Sequence, residues 1–314
     1  MPNKEATMKW FTERKRVMVL VFFCCILWGS AFPALKLTYA DLNLSPADFN
    51  LKIAYAGIRF MFASLILFAV SKFIMKIDMK INLKDFKRLL VLGVFNTTLL
   101  YFFFYNGLAN TSGIKAAILQ SSNTFIVVIL SHFIYHDDHI NSGKVKGIIF
   151  GLLGIVIVNI QKGFGGVEFS LVGEGFMVFA GLASGIGTIL AKRAGQHMNT
   201  FKVTAWQMFL GSSLLLIYAL IKVPVSALHF TPFSLGLLFY LSCLSATAFG
   251  LWFTLLKFNR AGEISIYRFM IPIAGSFLTA LIVPGENFSL TILLGLLSVS
   301  LGIYFVNSHK TSKT

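Results

Sequence analysis

Ten apolar runs, each close to the length that crosses a bilayer, leave this chain almost no other way to fold. A helix that spans the hydrocarbon layer needs about 20 predominantly apolar residues. Runs at 17–37, 53–74, 86–108, 114–135, 143–160, 171–192, 202–221, 233–256, 263–284 and 289–306 meet that requirement. The linkers between them are too short for a soluble domain. Of the 314 residues, 56% are hydrophobic and 12% charged, whereas soluble domains carry about 25% charged residues. The mean hydropathy of +0.78 agrees. The expected class is an all-α integral membrane protein with ten transmembrane helices.

A net charge of +15 would suit a nucleic-acid partner if the basic residues gathered on one folded surface. They fall instead in short stretches between apolar runs, as membrane-flanking charge does, so no nucleic-acid partner is expected. Cys24, Cys25 and Cys243 all lie inside apolar runs, and no CxxC pair occurs. That excludes a disulfide framework or a cysteine zinc site as the organising principle. The basic head Arg14–Arg16 before the first run resembles a signal peptide. With nine more runs behind it, it reads as a first spanning helix that is retained.

Orientation follows from the lysines and arginines. With ten spans both termini share one side. That side collects 20 of the 27 basic residues, among them Lys72, Lys76, Lys80, Lys84, Lys87 and Arg88 between the second and third runs. The opposite side holds five: Lys36, Lys52, Lys115, Lys162 and Lys222. Basic residues favour cytoplasmic loops. The expectation is a multi-pass protein of the cytoplasmic (inner) membrane with both termini in the cytoplasm.

The chain also repeats itself. "GIIFGLLGIVIVN" (147–159) aligns without gaps to "GLLSVSLGIYFVN" (295–307), with six of 13 positions identical, including Gly147/Gly295 and Gly154/Gly302. "GIRFMFASLIL" (57–67) lines up with "AWQMFLGSSLL" (205–215), and the stretch 113–137 matches 262–286 in length and at its two ends. Two halves of five helices follow, 1–165 and 166–314. Five is odd, so the halves enter the membrane in opposite directions. Inverted repeats of this kind typify secondary transporters, which place the substrate near the midplane between the halves.

Several segments resemble the drug/metabolite transporter superfamily, specifically its ten-helix EamA family. They are "ILWGSAFPALK" (26–36), Arg59 in the second run, "GEGFMVFAGLASGIG" (173–187), "AFGLWFTLLKFNRAGE" (248–263), and Pro272 followed by "PGE" (284–286). The resemblance covers essentially the whole chain. It departs at Asn123, where the family often has proline, and at "HDD" (136–138), where it often has Gly-Glu. The resemblance implies a transporter of small metabolites. In this family the first four helices of each half surround a central cavity, the fifth and tenth lie at the periphery, and many members export amino acids.

All twelve acidic residues lie at run ends, in loops or in the tail. An intramembrane aspartyl protease or a proton relay through a central carboxylate needs acids in mid-membrane, so a carrier and not an enzyme is expected. Arg268, about five residues into the ninth run, either faces a cavity and binds a carboxylate or phosphate at two points, or snorkels to the headgroups. Polar residues at mid-span offer a path lining: Ser30, Asn96, Gln120, Asn123, Ser184 and Thr188. Trp28, Tyr101, Trp252 and Tyr267 offer aromatic walls that could hold an apolar or cationic group. Pro33 and Pro272 each remove a helical hydrogen bond and serve as kinks or hinges, and Arg59 is assigned to packing or gating. "HFIYHDDH" (132–139) sets three histidines on nearly one face but at a helix end; neither a metal nor a cofactor is expected. The expected partners are a small-molecule substrate and the bilayer, with a homodimer left open. The substrate is expected to bear a carboxylate, amino acids first, with export favoured; a cationic or aromatic vitamin- or nucleobase-like cargo is the alternative.

Overall fold

The computed structural model describes residues 10–45, 47–110, 119–159, 170–224, 227–284 and 290–308. Among these, ten helical stretches longer than ten residues follow one another and no strand occurs. They are α1 (Arg14–Asp41), α2 (Phe49–Ile74), α3 (Leu83–Ala109), α4 (Ser122–Ile134) and α5 (Ser142–Asn159), then α6 (Leu171–His197), α7 (Thr200–Lys222), α8 (Pro232–Phe258), α9 (Ala261–Ile282) and α10 (Leu290–Ser308). All but α4 and α5 are long and apolar enough to cross a membrane. The start of the fourth run, 114–118, lies outside the described residues. So do the half boundary at 165/166, Gly113, Lys162, Gly285, Glu286, and Lys4, Lys9, Lys310 and Lys313 of the two tails.

The helix starts are written locally. Asn82 accepts a hydrogen bond from the Asp85 N–H at 2.8 Å, and Asn199 from the Phe201 N–H at 2.9 Å. Thr231 and Ser234 form a reciprocal capping box around Pro232, which sits where its missing N–H costs nothing. The large apolar side chains that remain exposed, such as Phe133, Ile221, Phe239 and Tyr304, have no soluble counterpart to pack on and suit a lipid-facing surface.

Helix pairing reproduces itself when each number is advanced by five. α1 packs on α8 and α9, and α6 packs on α3 and α4; α2 packs on α7, and α5 on α10. The α5–α10 seam shows this most closely. A Cβ at Gly302 would lie 2.9 Å from the Gly147 carbonyl, and one at Gly154 would lie 2.8 Å from the Gly295 carbonyl. The glycines aligned in sequence as 147/295 and 154/302 therefore cross over and meet each other's mates, as a two-fold relation between antiparallel helices requires. Without side chains there, the backbones approach closely enough for dispersion to hold helices in lipid. The α1–α9 crossing sets Gly29 against Ala274 and Gly275, and the α4–α6 crossing sets Gly181 against Ser122 and Asn123.

The buried apolar side chains form two clusters. The larger lies toward the face that holds residue 17 and residue 306, here called the terminal face, and includes Phe60, Leu92, Phe253 and Phe269. The smaller lies toward the opposite face, around Tyr55, Tyr105, Leu215 and Leu241. Trp28 and Tyr101 pack against both, so they mark the layer between.

Candidate functional site

α9 is not a uniform helix. It runs as α-helix over Ala261–Ile266, tightens to a 3₁₀ turn over Tyr267–Phe269 and resumes as α-helix at Met270. Pro272 is the reason: it has no N–H to give the carbonyl four residues back, which is that of Arg268. The helix gives up its regular bond at the residue that carries the charge.

The Arg268 side chain turns inward rather than to the headgroups. Its guanidinium carbon lies 5.4 Å from the Trp28 ring centroid and 5.6 Å from that of Trp252. The two indoles meet edge to face at 5.3 Å, and Phe249 closes on Trp28 at 5.2 Å. Among the described residues Arg268 has no ion pair. Aromatic faces stabilise a guanidinium through their quadrupole and leave its in-plane N–H groups unobstructed. Those N–H groups form the fork that fits a carboxylate or phosphate. The buried Trp252 indole N–H has no hydrogen-bond partner either. Trp28, Trp252 and Arg268, drawn from α1, α8 and α9, thus form one group.

A second polar group lies on α3, α4 and α6. The Asn123 side-chain amide donates to Ser184 Oγ at 2.7 Å, and Thr188 Oγ1 donates to the Ser184 carbonyl at 2.9 Å. Asn96 sits on a π-helical stretch of α3, Val94–Leu99, against Gly187, where an added Cβ would meet the Asn96 Cβ at 2.8 Å. Such π turns expose backbone to side-chain needs and recur at functional sites. The amide N–H₂ of Asn96, Oδ1 of Asn123 and Oε1 of Gln120 are buried without a hydrogen-bond partner among the described residues. Thr124 ties this group to α9 by donating to the Ser265 carbonyl at 3.3 Å, one turn before Arg268. Tyr101 lies 4.3 Å from Phe60, ring to ring, between the two apolar clusters.

Three expected site residues are engaged elsewhere. Ser30 donates to the Leu27 carbonyl and meets the Tyr240 hydroxyl at 2.6 Å, on the side of α1 turned toward an exposed tyrosine of α8. Tyr267 accepts from the Asn307 amide at 2.5 Å and packs edge to face on Phe22, so it joins α9 to α10 and α1. Pro33 is buried in α1, which stays α-helical over all 28 residues.

Arg59 is almost fully buried, 4% exposed. It reaches from α2 to α8, with Nη2 donating to Ser245 Oγ at 2.9 Å and Nε to the Leu241 carbonyl at 3.4 Å. Ser242 returns a bond to the Arg59 carbonyl at 3.1 Å. Its mate in the aligned repeat is Gln207, whose Oε1 accepts from Thr97 of α3 at 3.0 Å. The two clasps join equivalent positions in the two halves, α2 to α8 through Arg59 and Ser245 and α7 to α3 through Gln207 and Thr97, with the hydroxyl accepting in the first and donating in the second. The 57–67/205–215 alignment already set Arg59 opposite Gln207, but nothing in sequence pointed to Ser245 and Thr97 as the partners.

The terminal face is closed by polar ties. Asp138, in the "HDD" stretch, is completely buried; it takes Lys144 Nζ at 2.5 Å and the Gly262 N–H at 2.8 Å. The α4–α5 loop is thereby pinned to the first turn of α9. Lys192 donates to the Asn259 carbonyl at 2.5 Å, and the Asn259 amide donates to the Phe11 carbonyl at 3.0 Å. Glu263, at the start of α9, pairs with Arg260 at 3.1 Å and does not reach Arg268.

Comparison with known proteins fits this arrangement. The model of the EamA-like transporter family matches twice, over residues 15–160 and 171–308. An uncharacterized transporter of Bacillus subtilis, YvbV, is 29% identical over 304 residues, covering 96% of this chain and 94% of the relative. An uncharacterized transporter of Archaeoglobus fulgidus is 28% identical over 282 residues, covering 89% and 94%. A protein of known crystal structure superposes with a TM-score of 0.77 at 14% identity, over 96% of this chain and 100% of its own; at that identity the likeness is one of fold. With two family repeats, apolar helices throughout and transporters as relatives, the chain belongs to the EamA-like transporter family and is a multi-pass membrane protein.

Proposed function

We propose that the protein is a secondary, alternating-access carrier of a small carboxylate-bearing metabolite. It sits in the cytoplasmic membrane with both termini inside, and its two halves, 1–165 and 166–314, rock about the layer that holds Arg268. The supporting observation is the guanidinium of Arg268, held by Trp28 and Trp252 with no acidic partner among the described residues. A half-buried cation without a counter-ion is costly. A substrate carboxylate removes that cost and takes the N–H fork. The indoles that could receive a cationic cargo already face an arginine, which weighs against that alternative. Amino acids are the first candidates and export the favoured direction, both by the habits of the family.

The test is flux in proteoliposomes. Vesicles holding purified protein and a labelled amino acid or organic acid should release it faster than protein-free vesicles do, and Arg268→Ala should abolish the difference. If correctly inserted protein moves no amino acid or organic anion, the substrate class is wrong.

A further inference from the structure

We infer that Arg59 forms a second anion subsite next to Arg268, and that the substrate carries two carboxylates rather than one. This rests on the carrier proposed above and narrows its cargo.

The internal repeat supplies the first argument. Arg59 and Gln207 do the same mechanical work: each clasps a hydroxyl on the crossing helix, Ser245 in one half and Thr97 in the other. On the Gln207 side a neutral amide suffices. The positive charge on the Arg59 side is therefore not required by the clasp, yet it lies 4% exposed with no ion pair among the described residues. A guanidinium has five N–H donors. Two are used here, on Ser245 and the Leu241 carbonyl.

Its surroundings supply the second. Tyr55 lies one helical turn before Arg59 on the same face of α2, its ring meets that of Tyr39 edge to face at 6.2 Å, and the hydroxyls of both tyrosines are buried. Spare guanidinium donors near two buried phenolic hydroxyls make a place for an anionic oxygen. Among the described residues no carboxylate fills it: the buried Asp138, Glu174 and Glu263 are engaged at helix ends, with Lys144, the Ser170 N–H and Arg260.

The two cations are also joined. Arg268 stacks on Trp28, Trp28 meets Phe249 at 5.2 Å, Phe249 meets Phe60 at 6.4 Å, and Arg59 lies 5.0 Å over Phe60. Tyr101 lies 4.3 Å from Phe60, ring to ring, and with Trp28 packs against both apolar clusters. A monocarboxylate at Arg268 leaves Arg59 buried and uncompensated. A small molecule with a carboxylate at each end satisfies both.

The experiment measures binding to the purified full chain in detergent by calorimetry. Probes are the α,ω-dicarboxylates of four to six carbons against monocarboxylates of equal length, and glutamate against glutamine. A charge-assisted hydrogen bond at the second subsite should tighten the dicarboxylate about tenfold over its matched monocarboxylate, with one chain length preferred. Arg59→Gln, which copies the repeat mate and keeps a donor for Ser245, should erase that preference and leave monocarboxylate affinity unchanged. Tyr55→Phe, a single-atom deletion that keeps the ring packing, should reduce the preference severalfold even if Arg59→Gln proves too unstable to purify. Equal binding of mono- and dicarboxylates by the native chain, or a preference that survives both variants, overturns the second subsite and leaves the carboxylate carrier standing. Binding of no carboxylate at all removes both.

Discussion

At the scale of single residues, charge placement rather than polarity distinguishes this interior. Arg268 is held through the faces of two indoles, so its geometry depends on a flat, delocalised cation. Arg268→Lys keeps the charge but loses the planar stack and the two-point fork. We expect carboxylate affinity to fall about tenfold or more, measured by the same calorimetry, with the protein still monodisperse. If lysine binds as well as arginine, the fork has no role. Asp138 presents the opposite case, a charge fully compensated. Asp138→Asn leaves Lys144 buried without its partner, and breaking such a pair costs about 3–5 kcal/mol. Its thermal unfolding midpoint should drop, and Asp138→Asn combined with Lys144→Met should recover part of the loss. A single variant as stable as the native chain would show that the clamp contributes nothing.

At the scale of elements, α9 and the α5–α10 seam carry the separate demands of function and cohesion. Pro272 denies the Arg268 carbonyl its helical donor, and the 3₁₀ turn at Tyr267–Phe269 follows from it. Pro272→Ala should let α9 run straight, raising the unfolding midpoint while weakening substrate binding, because the turn aims Arg268. Unchanged affinity would separate the kink from the site. The seam tolerates less. A Cβ at Gly154 would already press on the Gly295 carbonyl at 2.8 Å, so Gly154→Leu must part α5 from α10, and we expect loss of folded protein in fluorescence-detected size exclusion. Leucine accepted there would mean the helices do not meet as closely as described.

At the scale of the whole molecule, the organising fact is that five is odd. Pairing that maps onto itself when each helix number advances by five means that each half supplies what the other lacks. α1 of the first half lies on α8 and α9 of the second, and α6 of the second lies on α3 and α4 of the first. Orientation is the prediction at this level. With Asp78→Cys and Ser45→Cys in separate copies, a membrane-impermeant thiol reagent added to intact cells should label residue 45 and not residue 78. The reverse result would invert the carrier. Native Cys24 and Cys25 are buried and should stay silent, and the half-buried Cys243 is replaced by serine in both copies.

Much of this was legible in the chain alone. The long apolar runs gave the all-helical membrane class, because hydrocarbon admits no unsatisfied backbone and a helix must be about 20 residues long to cross it. The glycines of 147–159 and 295–307 were visible as a repeat, since close backbone packing leaves a compositional mark. Trp28, Trp252 and Arg268 were visible as types of residue, but not as one group: they come from three helices, and no spacing in sequence encodes which faces of α1, α8 and α9 meet. Ser30 and Tyr267 looked equally suited to a path lining, yet their faces turn to Tyr240 and to Asn307. Arg59 and Gln207 showed in the alignment as equivalent positions. Only the packing of α2 on α8 and α7 on α3 revealed that they do one job with different charge. Apolar length is a property of each run by itself, whereas the surroundings of a buried cation belong to several helices at once and exist only after they have packed.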